Sequence, residues 1–300
     1  MKESDYLRPG ERIDDLEVNG FRIIQNPSFF CFGMDAVLLA NFVRTRRKDR
    51  IMDLGTGTGI IPLLLTAKGK CAACDGLELQ EAVAEMAGRS VQLNFDMLEG
   101  KTETEKLKDV PGASSGGKTE KLKDVPEAVS EAASCGKEDH TSDPVKEALR
   151  NLRILQGDIR SVPQHFPKAV YDGVTCNPPY IKGTSGLHND ETAYTIARHE
   201  IAVSWEEIVQ AAAHLVKPGG TFTLVHKPFR LPELMQTLQK YKLEPKRMQM
   251  VQPYADKEPN MVLLEAVQGG GPQLTVLPAL VVYNPDGSYT RQVLDMYGKP

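Results

Sequence analysis

The stretch Asn177-Pro178-Pro179-Tyr180 carries residue types suited to chemistry on a flat group that bears an amine. It follows the short apolar run 170–176, so we expect it at the end of a buried strand. Two adjacent prolines stiffen the loop and lack N–H donors, which leaves nearby carbonyls free to accept hydrogen bonds. The Asn177 amide oxygen is another acceptor, and the Tyr180 ring offers a stacking surface. Taken alone, the tetrapeptide could equally be an ordinary loop.

A second motif lies upstream, where Asp53-Leu-Gly-Thr-Gly-Thr-Gly59 separates a short strand-like run from the apolar segment 60–67. A glycine-rich turn between a strand and a helix lets the backbone approach a nucleotide closely. The spacing of Gly55, Gly57 and Gly59 does not match the dinucleotide fingerprint, and no Lys-Ser/Thr pair completes a P-loop. An acidic residue with this glycine spacing is typical of a pocket for S-adenosylmethionine (SAM). The chain therefore resembles a class I methyltransferase.

The segment after this motif predicts a second strand over 70–79 and a helix over 80–94. Glu78, near the end of the strand, lies 25 positions after Asp53. In a strand-helix-strand unit this spacing suits a carboxylate that contacts the ribose hydroxyls of a nucleotide.

Two more acidic residues are candidates for contacts with the cofactor. The run 152–156 predicts a third strand that ends in a Gly-Asp turn, and we expect Asp158 near the adenine ring, because ligands lie along that edge of such sheets. Asp35 precedes an apolar helix and is interpreted either as its N-cap or as a ligand contact.

The rest of the chain alternates between strand-like and helix-like segments. Asn19-Gly20 is a hairpin-turn dipeptide, and the segment 16–32 around it predicts strand, turn and strand. A capping box of Ser204 and Glu207 predicts a helix over 204–216. The remaining predicted elements are a helix end at 217–220, strands at 221–226, 243–252 and 261–267, and a helix at 231–240. This alternation predicts a single α/β sheet.

The segment 97–144 differs in composition from the rest of the chain. It has no aromatic residue and repeats Glu-Lys-Leu-Lys-Asp-Val-Pro at 105–111 and 120–126. Such a segment buries too little apolar area to offset its ordering entropy, which predicts a disordered insertion that arose by tandem duplication. A duplicated docking motif is the alternative. The predicted organisation is 1–48, a hairpin and helix on the core; 49–96 with 145–300, the methyltransferase domain; and 97–144, the insertion.

Composition sets the broad class. The 300 residues are 41% hydrophobic and 25% charged, as in ordinary globular proteins, and a net charge of −4 gives only a weak signal for nucleic acid. No run is long and apolar enough to span a membrane, and the N-terminus is too polar for a signal peptide, so we expect a cytoplasmic protein. Cys71-Ala-Ala-Cys74 lacks a second pair and is interpreted as core cysteines. With no cluster at metal spacing, no metal cofactor is expected.

The motifs together are similar to those of the tRNA adenine-N6 methyltransferases that modify adenosine 37 of a valine tRNA. The similarity covers the chain except for the insertion 97–144. Its motifs are Phe32-Gly-Met-Asp-Ala-Val-Leu-Leu39, Asp53-Leu-Gly-Thr-Gly-Thr-Gly59, Asn177-Pro-Pro-Tyr180, Ala197-Arg-His-Glu200, Lys217-Pro-Gly-Gly220 and Asp256-Lys-Glu-Pro-Asn260. The resemblance implies a Rossmann-like, doubly wound, mostly parallel seven-stranded sheet with an antiparallel last strand and a small N-terminal hairpin.

The resemblance also implies a role for each candidate residue. On the cofactor side, Asp53, Gly55 and Gly57 shape the pocket for the methionine end of SAM, Glu78 binds the ribose and Asp158 binds the adenine. On the target side, Asn177 and the Pro178 carbonyl accept hydrogen bonds from the exocyclic amine, and Tyr180 stacks on the base. The implied partner is tRNA, and the sequence does not indicate an oligomeric state.

Two alternatives remain open. A protein glutamine methyltransferase would grip a planar amide with the same Asn-Pro-Pro-Tyr loop, although that branch carries a helical N-terminal domain and only about 50 residues precede Asp53 here. A SAM-binding protein without catalysis is the other alternative, and the presence of Asn177 and Tyr180 argues against it.

Overall fold

The computed structural model describes residues 2–29, 31–102, 120–121, 143–178 and 203–299. In this part of the chain, a nine-stranded sheet carries helices on both faces, and a two-stranded hairpin stands beside it. The strands are β1 (Arg12–Asp15), β2 (Arg22–Gln25), β3 (Arg50–Leu54), β4 (Ala73–Glu78), β5 (Glu120–Lys121), β6 (Leu152–Gln156), β7 (Tyr171–Cys176), β8 (Val216–His226), β9 (Leu243–Gln252), β10 (Met261–Gln268) and β11 (Thr275–Val281). The α-helices are α1 (Met34–Phe42), α2 (Ile60–Ala67), α3 (Glu81–Leu98), α4 (Pro144–Arg150), α5 (Val162–His165), α6 (Trp205–Leu215), α7 (Leu231–Lys240) and α8 (Arg291–Met296).

The main sheet has the strand order β11-β9-β10-β8-β7-β3-β4-β6-β5. Among these strands, β10 alone runs antiparallel to its neighbours. The seven neighbouring strands from β9 to β6 in this spatial order correspond to the predicted seven-stranded sheet. Of these seven, β10 comes last in the sequence, so it is the predicted antiparallel last strand. Two unpredicted edge strands extend it, because β11 pairs with β9 and the two-residue β5 pairs with β6. The predicted fold class is confirmed.

Each face of the sheet is covered by its own hydrophobic core. Consecutive strand residues point to opposite faces, so Ile51 belongs to one core and Met52 to the other. Side chains from α1 to α4 cover the first face, and side chains from α5 to α7 cover the second. Helices on both faces leave the strand ends as the places where ligands can reach the sheet.

The N-terminal hairpin turns where the sequence predicts it. Asn19 and Gly20 have φ values of +50° and +73°, the left-handed conformation that an Asn-Gly turn adopts. The first predicted strand is misplaced, because β1 ends at Asp15, before the segment 16–32 begins. Its position is set by pairing with β2, in which Arg12 lies opposite Gln25 and Asp15 opposite Arg22. The hairpin packs on α3, where the Ile24 N–H donates to the Ser90 hydroxyl at 2.9 Å.

The helix predicted over 204–216 ends one residue early, and the segment 217–220, predicted only as its end, forms part of a strand. Helix α6 ends at Leu215, and the four residues lie within β8. The last helix carbonyls accept hydrogen bonds from Ala169 and Val170, the residues that lead into β7. The chain therefore passes from α6 into a strand beside β7, although the register is irregular there: Tyr171 pairs with Val216 and Gly173 with Thr221, so residues 217–220 stand opposite Asp172 alone.

Most of the predicted insertion, 103–119 and 122–142, lies outside the described residues. At its edges α3 continues to Leu98, and α4 begins at Pro144 with Asp143 as its N-cap. An Asp cap followed by proline at the first helical position is a helix-start signal that could have been read from the sequence. Within the insertion, β5 adds a short strand to the sheet.

Candidate active site

The glycine-rich turn between β3 and α2 is anchored to the end of β4. The N–H groups of Gly55 and Thr56 both donate to the Leu77 carbonyl at 2.9 Å. Gly55, Gly57 and Gly59 have φ values of +68°, +56° and +80°, a region that residues with a Cβ atom rarely adopt. A Cβ atom at Gly57 would meet no protein atom within 4 Å. The turn therefore presents its backbone to open space that a ligand can enter.

Asp53 lies at the end of β3 and is only 1% exposed. Its Oδ1 accepts a hydrogen bond from the Thr175 hydroxyl at 2.6 Å, whereas its Oδ2 is buried without a partner among the described residues. Burial raises the pKa of Asp53 to about 7, the hydrogen bonds of the Thr175 and Thr56 hydroxyl groups oppose the shift, and the charge of Glu78 adds to it. An unpaired buried carboxylate oxygen is costly. An ammonium group such as the one on the methionine end of SAM would satisfy it.

Glu78 ends β4 and closes the glycine-rich turn from the other side. Its two carboxylate oxygens accept hydrogen bonds from the N–H groups of Gly57 and Gln80, each at 2.9 Å. Burial raises the pKa of Glu78, and the backbone hydrogen bonds oppose that rise. Each oxygen keeps a second lone pair that could accept a ribose hydroxyl.

Asp158 follows β6 and caps the short turn Ile159–Ser161. Its Oδ1 accepts a hydrogen bond from the Arg160 N–H at 2.8 Å, and the Arg160 guanidinium contacts both carboxylate oxygens at 2.5 to 3.0 Å. The Arg160 hydrogen bond lowers the pKa of Asp158. An adenine amine would therefore share this carboxylate with Arg160, a competitor that the sequence analysis missed.

Asp35 is not the N-cap of α1, so that prediction is wrong. The N-cap is Gly33, and Asp35 lies in the first turn, where its Oδ1 accepts a hydrogen bond from the Ala36 N–H at 2.9 Å. A Cβ atom on residue 33 would lie 2.7 Å from the same oxygen, so glycine at this position makes room for the carboxylate. A negative charge in the first turn is favourable to the helix dipole. The contact with a ligand stays a prediction.

The Asn-Pro motif meets the cofactor motif at one edge of the sheet. Strands β3 and β7 are parallel neighbours, with Asp53 opposite Thr175. The half-buried Asn177 and the buried Pro178 follow Cys176 directly, at the edge where the glycine-rich turn begins. Two motifs that are more than one hundred residues apart in the chain are thus brought side by side.

The structure adds residues that the sequence analysis did not identify. Thr175 holds the Asp53 carboxylate, and Gly76 in β4 lets the Thr56 side chain pack where a Cβ atom would be only 2.8 Å away. Glycine inside a strand signals such a close approach, so Gly76 could have been noticed. Tyr180 and the motif 197–200 lie outside the described residues, and their roles stay predictions.

Cys71 and Cys74 are buried and free, as expected for core cysteines. Within the residues that the structure describes, no three His, Cys, Asp or Glu side chains form a group that could hold a metal ion. None of the helices in the same ranges combines the length and apolarity that a bilayer crossing needs.

The whole chain can be compared with known proteins. No family model matches the chain. Proteins named tRNA1(Val) (adenine(37)-N6)-methyltransferase are similar to it: one from Photobacterium profundum is 22% identical over 87% of this chain and 86% of its own length. Another from Porphyromonas gingivalis is 24% identical over 82% and 77%, and one from Proteus mirabilis is 22% identical over 99% of both.

A solved structure carries the fold comparison. The crystal structure of a predicted O-methyltransferase from Agrobacterium tumefaciens matches 88% of this chain and 96% of its own, with a TM-score of 0.57 at 19% identity. The chain thus has the class I methyltransferase fold and is related over most of its length to the tRNA1(Val) (adenine(37)-N6)-methyltransferases, which confirms the predicted family resemblance.

Proposed function

We propose that the protein transfers a methyl group from SAM to the exocyclic N6 amine of an adenine in tRNA, and that the target is adenosine 37 of a valine tRNA. The observation that carries the proposal is the convergence of Asp53 and Asn177 at one sheet edge, fixed by the pairing of β3 with β7. The names of the related proteins support the choice of substrate. A tRNA substrate is compatible with the cytoplasmic location expected from the sequence.

The cofactor side of the proposal uses residues with unfilled acceptor capacity. SAM supplies an electrophilic methyl group when bound. The unpaired Asp53 Oδ2 accepts from the ammonium of its methionine end, and the open backbone at Gly57 leaves room for that end. Glu78 accepts from the ribose hydroxyls, and Asp158 accepts from the adenine amine.

The target side makes a poor nucleophile usable. The lone pair of an exocyclic amine is delocalised into the ring, so the amine must become pyramidal before it can attack. Hydrogen bonds from the amine to the Asn177 amide oxygen and the Pro178 carbonyl favour that geometry, and stacking on Tyr180 aligns the base. The target base must leave its stack, which costs least in a single-stranded loop.

The test is methyl transfer to unmodified bulk tRNA, read by mass spectrometry of the digested nucleosides. Wild type should produce N6-methyladenosine. Asn177→Ala should lower the rate roughly a hundredfold while SAM affinity stays unchanged, because a transition-state hydrogen bond is worth about 3 kcal/mol. The exposed Asn151, whose amide donates to the Ala72 carbonyl, provides the matched control, and Asn151→Ala should behave like wild type.

A parallel reaction contains a glutamine-bearing release-factor protein. Methylation of that protein instead of tRNA would show that the chain is a glutamine methyltransferase. Tight SAM binding without methylation of either substrate would favour a non-catalytic SAM-binding protein.

A further inference from the structure

Phe229 is the most exposed large apolar side chain in the described ranges. Its ring is 72% exposed, whereas Phe29, Leu98 and Leu274 are 37% to 38% exposed. Single exposed apolar side chains are common on protein surfaces, so the exposure of Phe229 is informative only together with its position in the fold.

The backbone holds Phe229 in a fixed position. It lies in the 3₁₀ turn Pro228–Arg230, between β8 and α7. The Arg230 N–H donates to the Lys227 carbonyl at 3.1 Å, and Pro228 restricts the backbone at the first position of the turn. The ring is therefore presented by a short rigid turn between two regular elements.

This turn lies at the edge of the sheet that carries Asn177. Strands β7 and β8 are parallel, with Cys176 opposite Leu224, so Asn177 is level with Val225. Neighbouring strands are about 4.8 Å apart, and the four steps from Val225 to Phe229 advance the chain by about 13 Å at most. Phe229 thus lies within about 14 Å of Asn177, a span of about four stacked nucleotides at 3.4 Å each.

Lys227 and Arg230 lie two positions before and one position after Phe229 in the chain. Lys227 donates to the Asn260 carbonyl at 3.4 Å, and Arg230 forms an ion pair with Glu233 at 2.6 Å, which compensates the charge of the arginine. An exposed aromatic ring with a lysine nearby in the chain suits a base with its phosphate, because every base offers a face for stacking and the chain between bases is anionic.

We propose that Phe229 is a substrate-positioning residue that stacks on a nucleotide flanking the target adenosine. The proposal rests on the proposed function, since it names a further contact for the same RNA. The stacked neighbour holds the strand in place while the target base turns into the pocket beside Asn177. Phe229 touches neither the cofactor nor the reacting amine.

The experiment compares Phe229→Ala, Phe229→Leu and Phe229→Trp with wild type. Readouts are KM and kcat for unmodified tRNA, equilibrium binding of the same tRNA, SAM affinity and Tm. Alanine and leucine should each raise KM and the tRNA Kd about tenfold with SAM affinity and Tm unchanged, and tryptophan should restore wild-type values because it keeps an aromatic face. Val276, 60% exposed on the edge strand β11, provides the control, and Val276→Ala should change none of these quantities.

The outcomes separate the two proposals. If wild type methylates tRNA and Phe229→Ala or Phe229→Leu matches it, the stacking role is wrong and the proposed function stands. If wild type binds tRNA without methylating it and the variants weaken binding as expected, the stacking role stands and the reaction is wrong. Wild type that neither binds nor methylates tRNA overturns both.

Discussion

Two buried aspartates on neighbouring strands, Asp53 in β3 and Asp75 in β4, have opposite environments. Asp75 pairs in register with Met52, the residue before Asp53, so the two carboxylates point to opposite faces of the sheet. Asp53 is 1% exposed and Asp75 is fully buried. Burial therefore penalises the charged form of both to a similar degree.

The chain itself neutralises Asp75. Arg50 and Arg153 contact its carboxylate at 2.8 and 2.7 Å, and the Tyr171 hydroxyl donates to it at 2.6 Å. Burial alone would raise the pKa of Asp75, but the Arg153 hydrogen bond and the charges of both arginines outweigh it, and the pKa lies below its ordinary value.

Asp53 interacts with the hydroxyl groups of Thr175 and Thr56 and, among the described residues, with no cation, and burial raises its pKa to about 7. The comparison teaches how to separate two kinds of buried carboxylate. One that is satisfied by several partners serves the fold, whereas one that is left short of partners marks a place for a ligand. Changing each residue tests that distinction.

The largest effect is expected from Asp75→Ala. Removing the carboxylate leaves two partly buried guanidinium groups and a buried hydroxyl without their common partner, which should lower the free energy of unfolding by about 3 kcal/mol. Urea unfolding measures it. Asp295→Ala is the control, because its pair with Arg291 is more than half exposed and should contribute less than about 1 kcal/mol. Equal losses in the two variants would contradict a structural role for Asp75.

Asp53→Asn should have the reverse pattern. The amide keeps the shape but removes the charge that a cofactor ammonium needs, so SAM affinity should fall about thirtyfold, or about 2 kcal/mol. The unliganded variant should be at least as stable as wild type at pH 8, because an ill-satisfied buried charge is gone. Calorimetric titration and urea unfolding give the two quantities, and unchanged SAM affinity would remove Asp53 from the cofactor site.

The raised pKa of Asp53 also predicts a pH dependence. A carboxyl whose pKa is higher in the folded state favours folding at pH values below the unfolded pKa of about 3.9, and that stabilisation is lost as pH rises through about 7. SAM binding needs the charged form of Asp53, so its Kd should fall about fivefold between pH 6 and pH 7, below the range in which the α-amino group of SAM loses its own proton. The Asp53→Asn variant should lack this step, and the same fivefold change in the variant would assign it to another group.

The smallest effects are expected from glycine substitutions. Gly57 and Gly219 have φ values of +56° and +77°, and a Cβ atom at either meets no protein atom within 4 Å. Gly57→Ala and Gly219→Ala should therefore cost a similar backbone strain of about 1 kcal/mol. Only Gly57→Ala should also weaken SAM binding, because its added methyl group would occupy part of the proposed cofactor site. Similar SAM affinities in the two variants would show that the turn does not face the ligand.

Much of the fold could be predicted from local patterns. Strands β6 and β9 and helix α7 have the predicted ends, and the capping box of Ser204 and Glu207 is present at the start of α6. These features depend on periodicity and on contacts within one turn, which the sequence carries directly. Edge strand β11 and the position of β1 were missed, because pairing with a distant partner decides them.

Within the site, the sequence by itself determined which functional groups are present. These are an acidic residue and glycines at the end of one strand, and an Asn-Pro-Pro-Tyr loop at the end of another. Only the tertiary structure decided which groups remain available. Thr175, 122 residues away, engages one oxygen of Asp53 and leaves the other without a described partner, while Arg160 competes for Asp158. Residue types and local spacing are written along the chain, but hydrogen-bond satisfaction depends on neighbours that become adjacent only when parallel strands pair.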